Sequence, residues 1–174
     1  MRRSLVVQVT ALFLIVAWSM KGSAQATPTA GPLMFKGAIE PSVAGLTGVI
    51  DVTNQTRHEV TIGYAGMCAV TLLVFRDSTL SKTPVWDQGR WWNTRAGGCK
   101  WFPDQRAIAG GSHLRIGTSS VQPSVILGDS LPSGTYYAAV RLMVGRVEPA
   151  SPVPYPMTVD SSLVISAGAL QLTR

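Results

Sequence analysis

Beyond residue 33 the chain is a succession of short apolar runs, each broken by turn residues, and few folds accept that pattern. Residues 58–64 alternate, with Val60, Ile62 and Tyr64 on one side and Glu59, Thr61 and Gly63 on the other. Successive side chains of a strand point to opposite faces, so a period of two with β-branched and aromatic residues marks a half-buried strand. Residues 69–75 are apolar on both sides, Val70, Leu72 and Val74 against Leu73 and Phe75, which predicts a central strand covered twice. Residues 135–144 form the strongest run, with Tyr136, Ala138, Val140 and Leu142 sharing a side. Further strands are expected at 33–39, 46–52, 106–109 and 112–118, the last with Leu114 and Ile116 inward. Residues 162–172 read as a strand pair or as one strand bulged at Gly168.

Outside the first 26 residues, apolar positions nowhere recur at helical spacing over three turns. About seven to nine short strands, with turn signals roughly every 8–12 residues, predict an all-β fold: an antiparallel β-sandwich, immunoglobulin-like or fibronectin-like. No fixed-period repeat supports a propeller or solenoid. The intervening segments are polar or irregular. Asn54-Gln55-Thr56-Arg57 reads as a turn, and Val85-Trp86-Asp87 as a short extended piece within an irregular stretch from 76 to 106. Residues 123–131 read as a loop or short edge. Residues 148–156 hold four prolines and read as a linker, because proline cannot donate to a sheet ladder. At 174 residues the chain fits one domain, assigned to 34–174 behind a mobile lead-in at 27–33.

Residues 1–26 read as a secretory signal peptide. Arg2 and Arg3 form the positive start, an apolar stretch runs from Leu5 to Met20, and Ala24-Gln25-Ala26 supplies a small-x-small cleavage site. The stretch is short of the ~20 residues a spanning helix needs. Cleavage after Ala26 predicts a secreted or periplasmic protein with no stable membrane insertion. The chain carries 15 basic and 9 acidic residues; three of the basic ones lie in the leader, which leaves 12 against 9, a net of +3. That charge is spread along the chain, whereas nucleic-acid binding uses clustered charge. Cys68 and Cys99 are the only cysteines. In an oxidising compartment such a pair forms a disulfide, and closing a loop of that size stabilises by roughly 3–4 kcal/mol in the chain-entropy picture.

Catalytic chemistry finds little material. His58 and His113 are the only imidazoles, both at strand ends, and no G-x-S-x-G is present. Two histidines and two separated cysteines lack zinc-ligand spacing. Ala96-Gly97-Gly98 and Ala109-Gly110-Gly111 lack the Lys-Ser/Thr of a phosphate loop and read as turns. The sequence therefore predicts neither an enzyme nor a cofactor or metal. One cluster stands out: Trp86, Trp91, Trp92, Trp101 and Phe102, interleaved with Arg90, Arg95, Lys100 and Arg106. Exposed Trp and Arg anchor protein interfaces. Trp86 is expected in the core. Trp91 and Trp92 cannot both face inward if their segment is extended. Arg90, Trp91, Trp92, Arg95 and Trp101 are the candidate binding residues, on a loop pinned by the expected bridge.

Val52-Thr53-Asn54 with Thr56, then Val60-Thr61-Ile62-Gly63-Tyr64-Ala65-Gly66, then a strand and Val85-Trp86, resembles the BsuPI family of intracellular proteinase inhibitors. Ile108-Ala109-Gly110-Gly111 is similar to that family's Pro-Gly turn, with Ala109 where the family prefers proline. Leu131-Pro132-Ser133-Gly134-Thr135-Tyr136, followed by Ala138 and Val140, resembles its closing strand. The match covers residues 49–143. The resemblance implies a β-sandwich and proteinase inhibition or another protein-binding role. The leader and the cysteine pair depart from an intracellular inhibitor, and no reactive-site residue is carried over. The leading expectation is a secreted or periplasmic protein-binding module whose partner is a protein, by resemblance a proteinase. The alternative is a carbohydrate- or cell-surface-binding module using residues 86–102.

Overall fold

The strongest alternating run becomes the axis of the molecule. In the computed structural model, which describes residues 29–66, 69–95, 98, 104–146 and 158–174, Gly134–Arg146 forms the longest strand but one and pairs along both edges. The expected signal peptide, both cysteines, Trp101 and the proline-rich segment 148–156 lie outside the described residues. The strands are β1 (Thr29–Ala30), β2 (Leu33–Ser42), β3 (Gly45–Asn54), β4 (Val60–Tyr64), β5 (Val70–Phe75), β6 (Trp86–Asp87), β7 (Asp104–Ile108), β8 (His113–Gly117), β9 (Gly134–Arg146) and β10 (Thr158–Leu172). Two short helices, α1 (Gln88–Arg95) and α2 (Pro123–Leu127), interrupt them.

The strands make an antiparallel β-sandwich, as the alternation predicts. One sheet runs β1-β2-β3-β8; the other holds β4, β5, β6, β7, β9 and β10. Every pairing is antiparallel. In the second sheet β4 and β5 follow one another along a single edge of β9. Gly63 and Tyr64 pair with Gly145 and Val144, and Val70 to Phe75 then pair with Leu142 to Tyr137. Beyond this interrupted strand, β7 flanks β4 and β6 flanks β5. β10 takes the other edge of β9 as one strand, bulged between Ser166 and Gly168, with Gly168 at φ +92°. Ala167 is the unpaired residue, and the position after it is a glycine because that φ costs any other residue strain.

The inward side of β9 — Tyr136, Ala138, Val140 and Leu142 — is buried as expected. Val140 and Leu142 join Phe35, Ile50, Val52 and Ile62 between the sheets. Tyr136 and Ala138 join Leu72 and Val74 under α2, where Ile126 and Leu127 close the end of the sandwich. All six residues of β5 are buried. Its second face is covered by the 76–85 connection, whose Leu80, at φ +55°, packs on Leu73, Phe75 and Ala139.

Val140 fills the space between the sheets opposite two glycines. A β-carbon added at Gly48 would stand 2.6 Å from a Val140 methyl, and one at Gly37 would stand 2.8 Å from the other. Side chains in a close-packed core cannot retreat by that much. Gly48→Ala is therefore expected to destabilise by about 2–3 kcal/mol. Combined with Val140→Ala it should cost clearly less than the two single changes added together. Urea denaturation of the four variants checks this. Strict additivity would show that the sheets do not meet there.

Four local expectations are corrected. Residues 88–95 are helical rather than irregular or extended, and residues 123–127 are helical rather than a loop or edge. Both helices are too short for a sustained apolar stripe, and α2 starts with Pro123, whose fixed φ and missing N–H suit a first helical turn. Thr29–Ala30, in the expected lead-in, pair with Leu33 and Met34, and Leu33 belongs to the core. The strand expected at 58–64 starts at Val60, because Thr56, His58 and Asn54 knot the preceding turn.

Candidate functional site

Of the five candidate binding residues, four lie on α1, and Asp87 explains why a helix forms there. Its Oδ1 accepts the backbone N–H groups of Gly89 at 2.8 Å and Arg90 at 3.3 Å, so it caps the first turn. Arg141 on β9 grips the same carboxylate with both guanidinium prongs, at 3.0 and 3.2 Å, while its Nε donates to Thr71 at 3.1 Å. Asp87 is 8% exposed. A two-pronged guanidinium–carboxylate contact fixes geometry as well as charge. Gln88 adds a second tie. Its Oε1 accepts the Leu72 N–H at 3.0 Å, at the edge that two-residue β6 leaves uncovered, and its Nε2 donates to the Ser119 carbonyl at 2.9 Å. Gly98, at φ +83°, donates its N–H to the Trp92 carbonyl at the far end.

So fixed, α1 presents Trp91 and Arg95 one turn apart. Residues four apart share a helix face. Trp91, Arg95, Trp86 and Val85 form one wall of a half-open groove of about 560 Å³; α2 and the 128–131 turn form the other wall. Ile126, Leu127 and Leu131, all buried, underlie it, and Asp129 stands exposed on the facing wall. Trp86 packs against the core beneath α2 yet is only half buried, so it serves both core and groove.

The helix divides the candidate set. Trp91 and Arg95 line the groove, whereas Arg90 and Trp92 do not. Arg90 is exposed and Trp92 half buried. Trp91 and Trp92 do not alternate across a strand; as adjacent residues of a helix they sit about 100° apart. Trp101 and the Cys68–Cys99 bridge lie outside the described residues. Sequence reasoning missed the whole second wall, residues 124–131, and the Asp87–Arg141 anchor. Pro123 was the available signal for α2; nothing local announces a pair 54 positions apart.

The remaining charged residues are otherwise engaged or isolated. Arg106 lies on β7 and pairs with Asp104 at 3.3 Å; the same carboxylate accepts the Tyr64 hydroxyl at 3.0 Å. Burial pushes the Tyr64 phenol above its ordinary range, with the Arg106 guanidinium opposing. Arg115 pairs with Glu40 on the outer face of the four-stranded sheet. Arg90, Arg95 and Asp129 make no ion pair among the described residues. His58 and His113 are exposed. Among the described residues no three His, Cys, Asp or Glu side chains gather as a metal site, and no helix is long and apolar enough to cross a membrane.

A scan against protein-family models and a search of curated proteins return no match to the chain.

Proposed function

We propose that the chain is an exported binding module, not an enzyme, that holds a protein partner on α1 and the groove beside it. The observation that carries this reading is the bracing of an eight-residue helix by a buried capping carboxylate and a guanidinium fork, with Trp91 and Arg95 left turned to an open groove. Rigid presentation of aromatic and Arg side chains favours affinity because less freedom is lost on binding. A proteinase is the partner class that the BsuPI resemblance favours, and inhibition is part of the proposal on that ground alone.

Export is supported by the leader pattern and by the cysteine pair, for which we propose one Cys68–Cys99 bridge. The turn at Asn54-Gln55-Thr56 adds a constraint on the compartment. It matches an N-glycosylation acceptor, yet Asn54 is fully buried and its Nδ2 is occupied by the carbonyls of His58 and Ile108 at 2.7 and 2.8 Å. A glycan has no room there, which favours the periplasmic branch of the secreted-or-periplasmic proposal.

Retention of exported proteins on the immobilised mature chain tests the proposal. Trp91→Ala and Arg95→Glu are each expected to cut retention of the specific partner at least tenfold, and Lys36→Glu, on the far sheet face, to leave it unchanged. Equal retention by all variants would remove α1 from the contact. Binding on a glycan array that is lost in Trp91→Ala, with no protein retained, would replace this proposal with a carbohydrate-binding module.

A further inference from the structure

The groove also carries chemical information about what enters it. We infer, resting on the reading of α1 as a protein-contact element, that its occupant is an extended polypeptide segment with a large apolar side chain and a carboxylate two positions apart. The apolar half of this follows from Trp86 and Trp91, which line the groove half buried above the buried Ile126, Leu127 and Leu131. A volume near 560 Å³ lies within the ~300–1,000 Å³ of ordinary ligand sites, so a side chain of aromatic size enters with space left beside it.

The carboxylate follows from Arg95. It ends α1 on the groove wall, on the same side as Trp91, and has no ion-pair partner among the described residues. Asp129, the one carboxylate of the lining, stands on the facing wall, where Arg174 donates to the carbonyls of Gly128 and Leu131 at 3.2 and 3.3 Å. A segment laid along α1 therefore meets a guanidinium, whose fork matches a carboxylate in shape.

The spacing follows from geometry. Trp91 and Arg95 are four helical residues apart, a rise of about 6 Å. In an extended segment, residues i and i+2 face the same way about 6.6 Å apart. One side chain can therefore lie against Trp91 while the next on that face reaches Arg95.

Fluorescence anisotropy with labelled Gly/Ser dodecapeptides and the mature chain tests this. The central triplets are Phe-Ser-Glu, Phe-Ser-Lys and Ala-Ser-Glu. The Phe-Ser-Glu peptide is expected to bind at least tenfold tighter than either control, and Arg95→Glu to turn the preference toward Phe-Ser-Lys. Equal or tighter binding of the lysine peptide, a preference untouched by Arg95→Glu, or no binding of any peptide overturns the inference. So does a concentration-dependent dimer of the free chain that Arg95→Glu dissolves, since a second copy would then be the occupant. Partner retention sensitive to Trp91→Ala is read separately. If it persists while the peptides fail, the protein-binding proposal stands and only the acidic-apolar occupant falls; if both fail, both fall.

Discussion

Asn54→Ala is expected to lower the unfolding free energy by about 3–4 kcal/mol. Asn54 closes β3 with no exposed surface. Its Nδ2 donates to the carbonyls of His58 at 2.7 Å, Ile108 at 2.8 Å and Ala109 at 3.3 Å. Its Oδ1 accepts the N–H of Thr56 at 3.0 Å and the Thr56 hydroxyl at 2.8 Å. The backbone of the same residue accepts from Gly111 and donates to Ser112. One amide thus ties the 55–59 turn, the end of β7 and the β7–β8 turn to the first sheet. Alanine orphans several of these groups at once, and each buried unmet partner costs about 1–3 kcal/mol, less whatever water recovers. Asn54→Asp should cost at least as much, because a carboxylate cannot donate and would face two or three carbonyl oxygens. Thermal melts should fall by roughly 10 °C for a domain of this size. A loss below about 1 kcal/mol in both variants would mean that the amide does not join these elements.

The second large effect lies at Asp87 and Arg141. Arg141→Ala is expected to cost about 2–3 kcal/mol, because it leaves a nearly buried carboxylate without its counter-charge while the helix cap survives. Asp87→Ala removes the cap as well and strands the guanidinium, so it should cost about 3–4 kcal/mol. The Arg141 side chain is 26% exposed, and water reaching it keeps both figures below those of a sealed pair. The double variant should cost clearly less than the sum, with a coupling of about 2 kcal/mol. The same variants carry a functional signature. Each should loosen α1 and weaken partner retention through a helix whose contact residues are intact. Retention at wild-type strength in Asp87→Ala would show that a fixed α1 is not needed.

The parts of this fold that were legible are those whose signal is local. β5 is buried on both faces because both of its faces are largely apolar, and β9 buries Tyr136, Ala138, Val140 and Leu142 because they alternate along one side. Gly168 announced its bulge because a glycine inside a strand pattern implies a break in the ladder. What stayed hidden depends on partners far away in the chain. Residues 88–95 have a weak helical pattern of their own, and α1 exists because Asp87 is held by Arg141 and Gln88 is bonded to Leu72 and Ser119. The candidate site was half legible for the same reason. The Trp/Arg cluster marked Trp91 and Arg95, but only the folded chain sets α2 and Asp129 opposite them. The leader, Trp101 and the cysteine pair rest on sequence pattern and on the compartment argument.

Amide hydrogen exchange on the mature chain, free and with its retained partner bound, reads the contact surface directly. Slowed exchange is expected in residues 88–95 and 124–131, with the β2-β3-β8 sheet unchanged. Protection centred on that sheet, with α1 exchanging as fast in the complex as alone, would contradict it.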